Sequence, residues 1–193
     1  MLRKLFIVIN LVFICQMAFG SNATQTHIIS TISFEENLDA EKQNWLIVND
    51  SVMGGRSTSE MEFKDNAAVF FGEVSLENNG GFVSVRRRLI DNETQGAQAV
   101  SIKLIGDGRE YKLRFRLNGY LDGPAYELNI KTVKNEEMEF TLHSEQFVGV
   151  YRSRILNNFP KFEFKNAMQF ELMLADKIEG SFNIKLINIA FIK

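Results

Sequence analysis

Two histidines, His27 and His143, are all the sequence offers for general acid–base work near neutral pH. Neither sits in a pattern that would recruit it. There is no Gly-x-Ser-x-Gly turn to present a nucleophile, no His-Glu-x-x-His pair to hold zinc, and no glycine-rich phosphate loop. Both histidines read as loop or surface residues. Glu35-Glu36 and Glu136-Glu137 are adjacent, and an extended chain points neighbours to opposite sides, so they read as solvated charges rather than an acid/base pair for glycoside hydrolysis. Asp50 and Asp107 form no ligand spacing for calcium, which takes roughly six to eight oxygens. The expectation is a protein with no catalytic residues, no cofactor and no metal.

Recognition chemistry is better represented, in three glycine-rich segments. The first runs from Trp45, the only tryptophan, through Asn49-Asp50-Ser51-Val52-Met53-Gly54-Gly55 to Ser57. Asn49 and Asp50 can bond their own backbone to start a turn, and Gly54 and Gly55 permit positive φ or close backbone approach. The second is Asn78-Asn79-Gly80-Gly81-Phe82-Val83-Ser84-Val85-Arg86-Arg87-Arg88-Leu89. With Val83, Val85 and Leu89 turned to a core, Phe82, Ser84, Arg86 and Arg88 share the opposite face, offering an aromatic ring, a hydroxyl and forked donors. Arg87 then points inward and needs a carboxylate, for which Asp50 and Asp107 are the candidates, unless the sheet twists enough for every arginine to reach solvent. The third is Gly106-Asp107-Gly108-Arg109-Glu110-Tyr111. The candidate binding residues are therefore Asn49, Asp50, Met53, Gly54, Gly55, Phe82, Ser84, Arg86, Asp107, Arg109 and Tyr111, expected to converge in space. Lys112, Arg114 and Arg116 are expected to form an exposed cationic row that, beside Arg86, would take an anionic partner.

The elements that must position these residues are strands. Tyr111 to Leu117 alternates apolar and cationic side chains, which puts one kind on each face of an extended chain. The same period of two runs through Val100–Leu104, Tyr126–Lys131, Met168–Leu174 and Phe182–Leu186. After Leu186 the phase moves to Ile187, Ile189 and Phe191, which predicts a β-bulge or burial on both faces. Further strands are expected over His27–Phe34, Ser57–Phe63, Ala68–Leu76, Phe82–Leu89 and Met138–Leu142. The only helix signal covers Asn37–Gln43, with Ser33 and Glu36 as a capping box. Short strands joined by glycine and asparagine turns imply a sandwich or barrel.

Length and composition suit one domain. The 193 residues are 45% apolar and 24% charged, with seventeen phenylalanines to fill a core. Residues 1–20 read as a cleaved signal peptide: Arg3 and Lys4, an apolar run, then Ala18-Phe19-Gly20. The run is short for a membrane span, and none is expected after cleavage. Cys15, the single cysteine, lies inside this segment, so residues 21–193 carry no thiol. A disulfide-free exported domain mildly favours a periplasmic or otherwise secreted location. Removing Arg3 and Lys4 leaves 20 basic side chains against 24 acidic ones, which is not a nucleic-acid-binding composition.

The segments also carry a family resemblance. Trp45 to Ser57 is similar to a Trp followed by Asn-Asp-x-Val-Met-Gly-Gly-x-Ser, and Phe71 to Arg86 to a Phe-x-Gly-x-Val-Ser strand running into Asn-Asn-Gly-Gly-Phe-x-Ser-Val-Arg. Gly106 to Tyr111 and Leu172 to Phe182 match a Gly-Asp-Gly-Arg-x-Tyr turn and a Leu-x-x-Ala-Asp-Lys-x-x-Gly-x-Phe segment. Together they resemble the complex I intermediate-associated protein 30 family. That resemblance implies an all-β, galactose-binding-like jelly-roll sandwich over 21–193, and a non-catalytic, chaperone-like assembly protein with a protein partner. The alternative on the same fold is a carbohydrate-binding module. The chain departs from the family in its secretory-type N-terminus and in Met138–Phe147, which lacks an expected Trp and Pro.

Overall fold

A computed structural model describes residues 27–35, 38–120 and 122–193; the segment read as a signal peptide lies outside them. Thirteen strands appear in chain order: β1 (Ile28–Ile32), β2 (Trp45–Asn49), β3 (Thr58–Lys64), β4 (Ala67–Val74), β5 (Val83–Arg88), β6 (Ala99–Ile105), β7 (Glu110–Arg116), β8 (Ala125–Lys131), β9 (Glu137–His143), β10 (Val148–Tyr151), β11 (Arg154–Ile155), β12 (Gln169–Leu174) and β13 (Gly180–Ile192). They form two antiparallel sheets. One has the order β3-β4-β13-β6-β9, with β1 also on β13; the other has the order β11-β10-β8-β7-β12-β5-β2. One short helix, α1 (Leu38–Lys42), falls inside the expected Asn37–Gln43; of the expected capping box, Glu36 lies outside the described residues.

Alternation explains which face of each sheet is covered. Tyr111, Leu113 and Phe115 of β7, Phe170, Leu172 and Leu174 of β12, and Val83 and Val85 of β5 are all fully buried. They meet Phe70 of β4, Val100, Ile102 and Leu104 of β6, and Ile184, Leu186, Ile189 and Phe191 of β13 in one core. Phe115 is its centre, with five phenylalanine rings at centroid distances of 5.2–6.3 Å. Each such ring contributes about 1.5–3 kcal/mol by leaving water. The phase shift after Leu186 is a bulge: Leu186 pairs with Leu104, Asn188 with Lys103, and Ile187 is skipped.

Three strands lie where no alternation pointed to them. β2 is the unbroken run Trp45-Leu46-Ile47-Val48-Asn49, read from sequence as part of a turn segment, and β10 and β11 are short.

Arg87 does point inward, 2% exposed, but its partners are neither Asp50 nor Asp107. Glu41 of α1 takes Nε and Nη2 at 2.6 and 2.9 Å, and Glu93 takes Nη1 and Nη2 at 2.7 and 2.9 Å. Glu41 also accepts the Trp45 indole N–H at 2.6 Å. One arginine thereby fastens α1 and the loop after β5 onto the same sheet, and the Trp45 ring is held against Phe34, Phe63 and Phe170.

Candidate functional site

The seven-stranded sheet has a second face, away from the core, and its cross-strand register determines what stands there. Glu171 of β12 pairs with Arg86 of β5 on one side and Arg114 of β7 on the other, and Arg114 pairs with Glu127 of β8. Four strands thus carry one row of alternating charge, the arrangement in which directly opposed side chains attract. Diagonal neighbours add to it: Glu171 lies 3.1 Å from the opposed Arg86 and 3.0 Å from the diagonal Arg116, and Glu127 accepts the diagonal Lys112 at 2.7 Å as well as the opposed Arg114 fork.

Lys112, Arg114, Arg116 and Arg86 do share a face, but the row is not the solvent-exposed one expected from sequence. Arg86, Arg114 and Arg116 are 5–8% exposed and Glu171 is wholly buried. Loops that the sequence pattern could not place rise around this face, and the carboxylates that make burial tolerable sit at the outward positions of β8 and β12. Burial alone would raise the Glu127 pKa; the Lys112 hydrogen bond and the Arg114 charge outweigh it and hold the carboxyl below its ordinary value. Arg86 goes the other way for an arginine: burial lowers its pKa, Glu171 opposes that, and repulsion from Arg116 and Arg114 lowers it further.

A cleft of about 580 Å³ opens over this row. Its floor is Arg86, Arg114, Arg116, Glu171 and Met173. On the β2 side the wall is Val52, Met53 and Phe82; on the β8–β10 side it is Asp122, Val150 and Arg152. Val52 and Met53 are 68% and 71% exposed, a protruding apolar tip. Asp122 accepts hydrogen bonds from Arg152 at 2.9 Å and the Tyr151 hydroxyl at 3.2 Å, and Arg116 reaches the Gly123 carbonyl at 2.8 Å, so floor and far wall are joined. A larger hollow of about 770 Å³, bounded by residues 88–95 and 165–169, contains none of the candidate residues and no buried charge cluster.

Asp50 holds the near wall. It is fully buried, and its carboxylate accepts the Ser57 N–H at 2.9 Å, the Ser57 hydroxyl at 2.5 Å, the Gly81 N–H at 2.6 Å and the Phe82 N–H at 3.3 Å. The Asn49 side chain does not cap the turn; it accepts the Ser59 hydroxyl at 2.7 Å. Gly54 and Gly55 act in the two ways anticipated. Gly54 ends the Asp50–Met53 turn at φ +87°, and a Cβ on Gly55 would overlap the Asp50 carboxyl group. Gly55→Ala should therefore cost about 1–3 kcal/mol through overpacking, against about 1 kcal/mol for Gly54→Ala, which has open space and only an unfavourable φ. Urea unfolding of the two variants checks the ranking; the reverse order would mean that Asp50 gives way.

The three sequence segments are brought together only in part. Asn49–Gly55 and Gly80–Arg86 interlock through Asp50, and Asn78 also donates to the Gly54 carbonyl at 3.1 Å. Ser84 lies on the cleft face of β5 but spends its hydroxyl on the Val48 carbonyl at 2.8 Å. Gly106–Tyr111 begins β7 at the same end of the sheet, since Leu174 pairs with both Val83 and Tyr111, yet its side chains do not line the cleft. Asp107 accepts the Tyr111 hydroxyl and the Asn183 N–H, both at 2.9 Å. Burial, then the Asp107 charge, pushes the Tyr111 pKa far above its ordinary value. Arg109 forks onto Asp176 at 2.7 and 2.9 Å and reaches the Ile178 and Gly180 carbonyls, fastening the β12–β13 connection. Among the described residues no cluster of His, Cys, Asp and Glu could hold a metal ion, and His143 is exposed at the end of β9, in the other sheet. No described helix is long and apolar enough to cross a membrane.

Sequence reasoning missed Glu127, Glu171, Met173, Asp122 and Arg152. The first two carried a usable signal. Each is the outward residue of an alternating strand, so aligning those strands with Lys112–Arg116 would have opposed carboxylate to guanidinium.

Two packed antiparallel sheets with a cleft on the outer face of one define a galactose-binding-like jelly-roll sandwich. Solved structures agree on the fold: the family 11 carbohydrate-binding module from Clostridium thermocellum, in complex with a beta-1,3-1,4-mixed-linked tetrasaccharide, is similar at 13% identity and a TM-score of 0.57 over 77% of this chain and 88% of that one. A second structure of a family 11 module, from the cellulosomal cellulase Lic26A-Cel5E of the same organism, is similar at 13% identity and TM-score 0.57 over 78% and 88%. No curated protein matches the sequence. The chain belongs to the complex I intermediate-associated protein 30 family, which it matches over residues 32–186.

Proposed function

We propose that this protein is a non-catalytic binding module that holds a saccharide in the cleft over β5, β12, β7 and β8, on the exported side of the cell. The observation that carries the reading is the makeup of the cleft floor. Every strand beneath it is paired on both sides, so no backbone edge is offered to an extended peptide. What the floor offers instead is guanidinium and carboxylate groups locked in place by one another, which suit a ligand that brings its own hydroxyl oxygens. The Val52, Met53 and Phe82 wall suits the apolar face of a sugar ring.

A second reading has one observation in its favour. The exposed Val52–Met53 tip would also serve a protein partner, as an assembly factor of the kind the family's description names would need. Isothermal titration and affinity electrophoresis against a panel of soluble oligosaccharides decide between them. The expected result is saccharide binding that Met53→Asp weakens at least tenfold while the melting temperature holds, since Met53 is at the surface. Binding of no saccharide by a folded protein would sink the saccharide reading.

A further inference from the structure

Resting on that reading, we infer that the saccharide is acidic, its carboxylate or sulfate group seated in the cleft among Arg114, Arg116 and Arg152. The chain as a whole is net negative, with 24 acidic side chains against 22 basic, yet the cleft is lined by four guanidinium groups and only two carboxylates. This reversal is built into the floor. Glu127 answers to both Arg114 and Lys112, so that carboxylate leaves one positive charge over, and Arg116 has to share Glu171 with Arg86. A purely architectural network needs no such surplus, because excess buried charge costs solvation that nothing repays.

The surplus is aimed at the opening. Arg114 commits Nε and Nη2 to Glu127, and Arg116 commits Nε to Glu171 and Nη1 to Gly123. Among the described residues Arg114 Nη1 and Arg116 Nη2 have no protein acceptor. Arg152 on the far wall is 72% exposed at its side chain and shares the Asp122 carboxylate with Tyr151. Mutual repulsion among Arg86, Arg116 and Arg114 is one of the forces acting on Arg86, and an anion between them would relieve it. Charge-assisted, forked hydrogen bonds to carboxylate or sulfate are the strong kind.

The test titrates the purified protein with three oligosaccharides matched in length: an oligogalacturonate, a sulfated galactan fragment and the neutral mixed-linked glucan. A poly-glutamate peptide is the fourth probe. The expected result is binding of one or both anionic saccharides, at least tenfold tighter than the neutral glucan, weakened severalfold by raising salt from about 0.05 to about 0.5 M. The two anionic arms separate carboxylate from sulfate recognition. Arg152→Ala, an exposed change with little effect on folding, should weaken the anionic ligand about tenfold and reduce the salt dependence of its binding. Equal or better binding of the neutral glucan overturns the acidic assignment and leaves the saccharide reading standing. Binding of poly-glutamate with no saccharide bound overturns both.

Discussion

Arg87→Ala should lower the unfolding free energy by about 3–5 kcal/mol, the range measured when one partner of a buried ion pair is removed. The substitution deletes five hydrogen bonds, one of them to the Arg88 carbonyl, and leaves the Glu41 and Glu93 carboxylates, 11% and 18% exposed, without the cation between them. Glu41 would keep its bond to the Trp45 indole but lose its anchor to β5, so α1 should loosen together with the Trp45 ring. Urea denaturation followed by fluorescence of that single tryptophan reads both the stability and the local change. Glu93→Gln should cost less, about 1–2 kcal/mol, because the Glu41 fork remains. An Arg87→Ala protein within about 1 kcal/mol of the parent would mean that packing of α1 and Trp45 does not depend on the arginine.

Asp50→Ala should be comparably severe, about 3–5 kcal/mol, through a different cause. It orphans the N–H groups of Ser57, Gly81 and Phe82, each worth about 1–3 kcal/mol when buried without an acceptor. It also frees the turn that carries Val52 and Met53, so ligand binding should fall with stability. The pH dependence has a definite sign. Burial alone would raise the Asp50 pKa, but the Ser57 hydroxyl and the Gly81, Ser57 and Phe82 amides outweigh it and hold the carboxyl below its ordinary value. A folded-state pKa below the unfolded one contributes stability above the ordinary carboxylate value, about 4, which is lost as pH falls through the folded value. Asp50→Asn should therefore flatten the acid limb of the stability curve below about pH 4. An unchanged acid limb in Asp50→Asn would assign that loss to other carboxylates.

The architecture was legible wherever a strand carries apolar residues on one face and polar ones on the other. β7, β8, β12 and β13 show it, and even the bulge at Ile187 left its mark as a change of phase. β2 left none. Trp45 turns to the core while Leu46 and Val48 stand on the cleft side, so both faces are apolar and the run does not alternate. β10 was hidden for another reason: its inward residue is Gly149, whose missing side chain makes room for the Phe159 ring.

The site was legible as chemistry but not as connection. That Arg87 needed a carboxylate followed from its place between Val85 and Leu89; that Glu41 would supply it depended on α1 docking 46 residues away in sequence. Asp50 stood out by its glycine neighbours, which do make room for it, although its task is to collect backbone amides rather than to neutralise an arginine. The cationic row was visible, and its burial was not. Burial there depends on the connections before β8 and after β10, whose residues carry no periodic signal.

β13 pairs with β4 along its first half and with β6 and β1 along its second, holding three strands that precede it by 74 residues or more in the chain. Synthesis runs from the N-terminus, so all three wait for it. While the ribosome is still making residues before Gly180, β4, β6 and β1 have no shared partner and the phenylalanine faces of both sheets lie open to water. The sheet therefore closes only when the strand from Gly180 to Ile192 has been made.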